Sequence, residues 1–377
     1  MKYVKTTIFL IFILLFCFTL TPVAHAEEPS EVYSDFFGSL PDKIKDTLPE
    51  KVNGSDPEAD TKRLTSWDFL LSALGGGVSS GFRRILPTFC AILGLILISS
   101  VINTVTSSLE PKTSKVLGIT SNAAMAVAFV SLQIKTILSV GEYLSDLLTL
   151  VNTMTPVVAV LYASGGNVAG ASVSSAAMNV FMAFSENVLV KTAVPISGVC
   201  LCLITVSALS PELSLERFIL LIKSTYSKTL TFLMSIFCAI LGIQTAIAAG
   251  SDSVSLRAVK FVTGSSIPIV GGSVNESMRM LAGSIGLLRK CFGVTGIIVI
   301  ALLTLPTITM LLLSRFAVSL AAAAADLLHC PAERKLLDGI SGVYGILIAV
   351  VSACSLMFVF LLTLLASSAV ALTGATV

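Results

Sequence analysis

The chain is 377 residues long, 55% hydrophobic and only 12% charged, with a mean hydropathy of +0.94. A soluble domain carries about 25% charged residues, so these values exclude a soluble globular protein and define an integral membrane protein. The net charge of +2 selects no class of partner, and no basic block interleaved with aromatics points to nucleic acid.

Residues 1–26 read as a signal peptide. Lys2 and Lys5 form the positive end, Ile8–Leu20 is an apolar core too short to span, and Ala24-His25-Ala26 is a small-x-small cleavage site. Residues 27–80 are then an extracytoplasmic segment of amphipathic helices. Eleven of the 22 Asp and Glu residues fall between Glu27 and Asp68. Val32, Phe36, Leu40, Ile44 and Leu48 recur at every fourth position as an apolar stripe. Glu50–Lys62 reads as a Pro/Gly/Asp-rich linker. Ser66 caps a helix carrying Trp67, Leu70, Leu71 and Leu74, with the Trp suited to an interface.

Residues 81–377 form the multi-span domain. Gly75–Gly77 is expected to act as a hinge before it. The expected spans are Ile85–Thr106, Val116–Val140, 193–209, Leu230–Ala249, Gly293–Leu313 and Gly342–Ala366. Gly141–Val151 is expected as an amphipathic linker, Pro306 as a kink, Ala321–Ala325 as a close-packing site and Pro331 as a helix stop. The fold class is therefore all-α: a polytopic bundle of about six to eight spans.

Two segments interrupt this pattern. Around Pro156 the chain reads Thr155-Pro156, a short apolar run, then Gly165, Gly166 and Asn167. Around Pro268 it reads Ile267-Pro268-Ile269-Val270, then Gly271 and Gly272, with Asn275, Glu276 and Arg279 beyond. Proline lacks an amide hydrogen, and paired glycines admit conformations other residues avoid. Each segment is a cavity-lining re-entrant turn covered by protein or water, a loop at the lipid surface, or a further crossing of the bilayer. The same order of span, amphipathic linker, Pro/Gly break and span reads as an internal repeat over 116–209 and 229–313, a device of transporter-like folds. Glu276 and Arg279 lie three apart on one helix face, with Glu186 and Lys191 the polar residues of the first half.

Catalytic patterns are missing from the sequence. Only His329 remains after processing. There is no phosphate-binding Gly-x-x-x-x-Gly-Lys-Ser/Thr loop and no His-Glu-x-x-His. Cys90, Cys200, Cys202, Cys238, Cys291, Cys330 and Cys354 lie in or beside spans and read as packing thiols. No enzymatic activity, cofactor or metal is expected. No apolar segment is expected to carry paired carboxylates.

Arg257–Ser277, RAVKFVTGSSIPIVGGSVNES, resembles the signature region of the stage III sporulation protein AE family of endospore-forming bacteria. TPVVAVLYASGG at Thr155–Gly166 and FGVTGIIVIALLTLPTI at Phe292–Ile308 are similar to its neighbouring segments, and the resemblance runs from about Thr65 to the C-terminus. It implies a multi-pass subunit of a mother-cell membrane complex. With a forespore-membrane partner, that complex forms a channel-like link needed for forespore development. It carries no catalytic residues over. The expected partners are other membrane subunits and lipid, in an oligomeric assembly. The alternative is a self-contained secondary transporter for a small solute.

Overall fold

Alternating steps of three and four residues decide how the last helix packs. Leu337, Ile340, Tyr344, Leu347, Val351, Cys354, Phe358 and Leu361 follow that spacing, and all are buried. Such a seam holds one helix against its neighbours by knobs-into-holes packing. In a computed structural model of the chain, residues 56–164, 183–209, 215–239 and 271–374 are described, with isolated positions elsewhere. For 161–164, 271–290 and 364–374 the backbone alone is described. The expected signal peptide lies outside the described residues.

The described chain is helical. Its elements are α1 (Pro57–Leu64), α2 (Trp67–Ser107), α3 (Pro111–Ser164), a π-helical turn (Ser185–Val190), α4 (Lys191–Leu209), α5 (216–239), α6 (Gly271–Leu327) and α7 (Pro331–Gly374). Among the described residues, five stretches are long and apolar enough to cross a membrane: Trp67–Ser107, Pro111–Val160, Ser185–Leu209, Cys291–Leu327 and Pro331–Thr363. Of the expected span Leu230–Ala249, the part to residue 239 lies on α5, and most of the rest is outside the described residues.

Among the described helices, α6 and α7 make the most extensive contact. A three-residue turn joins them as an antiparallel hairpin. His329 has φ 55°, and the Cys330 amide donates to Ala325 O at 2.9 Å while His329 N donates to Asp326 O at 3.1 Å. These two bonds define a Schellman cap with His329 in the position usually held by glycine. Pro331 follows as the first residue of α7, where its missing N–H has no helical partner to lose. The helix stop expected there is present, and Ala321, Ala322 and Ala325 are buried as expected of a close-packing site.

Several expected interruptions are absent. Helix α2 runs through Gly75–Gly77 without a break where a hinge is expected. The glycines further along serve approach rather than hinging. A Cβ at Gly77 would meet the Leu305 side chain at 3.2 Å, and one at Gly81 would meet Leu313 and Thr309 at 3.3 Å. The second half of the expected linker Glu50–Lys62 belongs to α1, whose N-cap Asp56 accepts from the amides of Glu58 and Ala59. Ser66 precedes α2, but its hydroxyl donates back to Arg63 O at 2.7 Å instead of capping forward. Of the N-terminal stripe, Leu40 is buried and Leu48 packs on the core, with Phe37 and Val52 beside them.

Candidate functional site

Helix α3 carries the same three–four seam as α7: Ile137, Val140, Leu144, Leu147, Val151, Met154 and Val158 are buried. Three sets of contacts fix its height against the hairpin. The Tyr344 hydroxyl donates to Gln133 Oε1. The Tyr143 hydroxyl lies 3.0 Å from Thr304 Oγ1 and 2.6 Å from Ser355 Oγ. A Cβ on Gly296 would come within 2.7 Å of both Leu362 Cδ1 and Met154 Cε. From Gln133 to Met154 the helix rises about 30 Å, the hydrocarbon thickness of a bilayer. Tyr143, with Thr304 and Ser355, stands about midway along that stretch.

This register changes the reading of α3. The expected span Val116–Val140 and linker Gly141–Val151 are one continuous helix. The part level with the spans of α6 and α7 takes in the end of the expected span and all of the expected linker. Two carboxylates, Glu142 and Asp146, therefore stand at the height of the neighbouring spans, one turn apart on the face that also carries Ser139 and Tyr143. Glu142 and Asp146 lie within the expected amphipathic linker Gly141–Val151, and Glu142 is exposed.

These side chains line a cavity of about 390 Å³ between α2, α3 and α6. Its other walls include Arg84 from α2 and Leu302, Pro306, Thr307 and Met310 from α6. Pro306 sits inside α6 and offers no N–H to the Leu302 carbonyl one turn earlier. The guanidinium of Arg84 reaches Met310 Sδ at 3.9 Å. The cavity thus combines one guanidinium, two carboxylates and several hydroxyls beside a proline-interrupted helix. Ionisable groups at this height mark solute or ion paths more often than packing. The arrangement can hold a small polar solute or a file of water, and it contains no nucleophile–base pair.

The sequence-selected positions are distributed differently. Pro156 lies inside α3, which continues to Ser164. No helix end or re-entrant turn occurs at Pro156. Pro156 has no N–H to offer the Asn152 carbonyl one turn earlier, and the Thr155 and Thr153 hydroxyls just before it donate to Val151 O and Thr149 O, both at 3.0 Å. Gly165, Gly166, Asn167 and Pro268 lie outside the described residues. Gly271 and Gly272 open α6, and Asn275, Glu276 and Arg279 lie in its first turns, where the backbone alone is described. Glu186 and Lys191 pair at 3.0 Å. They are five apart, and the π-helical turn between them brings that spacing onto one face.

A second polar junction ties α2 to the hairpin turn. Ser99 Oγ donates to the buried carboxylate of Glu333, Ser100 Oγ donates to Leu328 O at 3.4 Å, and Asn103 Nδ2 approaches Cys330 Sγ at 3.7 Å. Burial, reinforced by the nearby Glu333 carboxylate, pushes the Cys330 thiol up from its ordinary value.

The long apolar helices and the bonds between them define a multi-pass helical membrane protein. Residues 60–369 match the family model for Stage III sporulation protein AE. The chain is also 26% identical over 347 residues to the Stage III sporulation protein AE of Bacillus subtilis (strain 168), an alignment covering 89% of this chain and 83% of that protein. It therefore belongs to the Stage III sporulation protein AE family, a family of sporulation membrane proteins. No solved structure matches it.

Proposed function

We propose that the chain is a structural and transport subunit of a multi-protein channel in the mother-cell membrane around the forespore, required for endospore development. The observation that carries this reading is family membership across residues 60–369. The internal polar bonds agree with a scaffold role: Tyr143, Thr304 and Ser355 hold three helices together, as do Gln133 and Tyr344 for two. The wide apolar faces on Leu97, Ile98, Val101, Val127 and Ile134 suit lipid or neighbouring membrane subunits.

The test is recovery of the tagged full chain from sporulating cells after cross-linking in the membrane. Co-recovery of other membrane subunits in fixed proportion supports the reading. Recovery of the chain alone, from cells whose spores depend on it, sinks it.

The charged cavity favours a second reading, a self-contained transporter for a small solute. In that case Arg84→Gln and Asp146→Asn abolish solute uptake by proteoliposomes holding this chain alone. Under the channel reading such vesicles show no saturable uptake.

A further inference from the structure

Helix α7 has glycine at 339, 342 and 345, and two cations from other helices come down on that edge. Lys223 of α5 donates from Nζ to Gly339 O at 3.1 Å, and a Cβ on Gly342 would lie 2.2 Å from the same nitrogen. Arg315 of α6 lays its guanidinium against Gly345, with Cζ and Nη1 both 3.6 Å from where a Cβ would stand. Side chains three apart on a helix start roughly 5–6 Å from one another, so the two cationic groups lie within about 11 Å.

Neither cation has a carboxylate partner among the described residues. Three described acids near this end are engaged elsewhere. Glu216 pairs with Lys335 at 3.2 Å, and both Asp326 and Asp338 pair with Arg334. Burial pulls the Lys223 ammonium below its ordinary value, with the Cys200 thiol opposing. Two unneutralised cations this close repel one another, and one of them is half-buried. An anion between them removes both costs.

A cavity of about 290 Å³ opens beside Lys223 between α5 and α7. Leu220, Leu230, Ile346 and Ala349 make it mostly apolar, while Ser224 and Ser227 supply hydroxyls. A free phosphate gains nothing from the apolar wall. An amphiphile with an anionic head uses both parts. We propose that this groove binds an anionic phospholipid, its phosphate held by Lys223 and Arg315 and an acyl chain laid along Leu230 and Ile346. Lys223 in the groove wall and Arg315 against its Gly345 edge, neither with a carboxylate partner among the described residues, carry the assignment together with the apolar lining.

The test uses the purified full chain in nanodiscs mixing phosphatidylglycerol and phosphatidylcholine, with retained lipid read by native mass spectrometry. The expected result is at least tenfold preferential retention of phosphatidylglycerol. The double variant Lys223→Gln/Arg315→Gln loses that preference, and Lys228→Gln keeps it. Ala349→Trp fills the groove from its exposed side without changing charge and also abolishes retention, while helical circular dichroism stays unchanged. Equal retention of the two lipids by the native chain overturns the assignment. So does a preference that survives the double variant, or displacement of the lipid by millimolar inorganic phosphate. Loss of retention with unchanged spore formation leaves the channel reading intact.

Discussion

The hydroxyl of Tyr143 lies 2.6 Å from that of Ser355, and Thr304 Oγ1 donates to the same serine at 3.1 Å. Ser355 places its own proton on Val351 O at 2.7 Å. Its oxygen is therefore the acceptor for both neighbours, and the three-helix junction hangs on the serine. Tyr143→Phe removes one donor and strands no acceptor that lacks another partner. Its expected cost is about 0.6–1 kcal/mol, the range for hydrogen bonds between membrane helices. Ser355→Ala costs more, about 1–2 kcal/mol, because a buried donor is left over. The double variant is less than additive. Unfolding in mixed micelles measures all three, and a Tyr143→Phe loss exceeding the Ser355→Ala loss refutes the donor assignment.

The glycines separate into two kinds. At Gly339 a Cβ would lie 2.5 Å from Ile204 Cγ2 and 2.9 Å from Cγ1, atoms fixed close to a branched side chain's root. Gly339→Ala must push α4 off α7, at an expected cost of about 1–3 kcal/mol. At Gly94 nothing lies within 4 Å. Gly94→Ala then gains helix propensity, up to about 1 kcal/mol. The two variants should shift the unfolding midpoint in opposite directions. A shared sign would mean that α4 and α7 do not meet at Gly339.

The helical class and the hairpin stop at Pro331 were legible in the sequence, because long apolar runs and a proline after a helix end are local signals. The charged cavity was not. Glu142 interrupts the apolar run of the sequence. The seam Ile137, Val140, Leu144, Leu147, Val151 and Met154 carries the helix through it. Periodicity was the better guide to what α3 buries, and hydropathy the better guide to lipid contact. Pro156 is a different case. It looks like a break in isolation, yet α3 continues through it, as α2 does through Pro87, α4 through Pro195 and α6 through Pro306. Arg84 could not have been matched to Glu142 and Asp146 from sequence, since only packing brings α2 and α3 to one cavity.

His329 holds the left-handed position of the Schellman cap at φ 55°. A side chain in that conformation costs roughly 1–2 kcal/mol relative to the right-handed region. Histidine tolerates it better than branched residues do. His329→Gly should therefore stabilise the hairpin by about 1 kcal/mol, and His329→Val should destabilise it by a similar amount. Thermal unfolding of the full chain decides this. Destabilisation by glycine would show that the imidazole makes a contact worth more than the backbone strain.

Lys223 gives a pH dependence whose sign can be worked out. Burial lowers its pKa in the folded chain, so the fold disfavours the ammonium. Below the lowered value both states are protonated and the full penalty is present. Between the lowered value and about 10.5, the ordinary lysine value, the unfolded chain binds more protons than the folded one, so stability rises with pH. Above that window the penalty is gone. Lys223→Met removes the titration. In phosphatidylcholine micelles the variant should be the more stable protein at pH 7, and its advantage should shrink as the pH is raised toward 10.5. Added phosphatidylglycerol should erase the advantage already at pH 7, because an anion against the ammonium offsets its desolvation. A native chain whose stability relative to Lys223→Met falls with rising pH would contradict the burial argument, since that slope requires a lysine whose charged form the fold prefers.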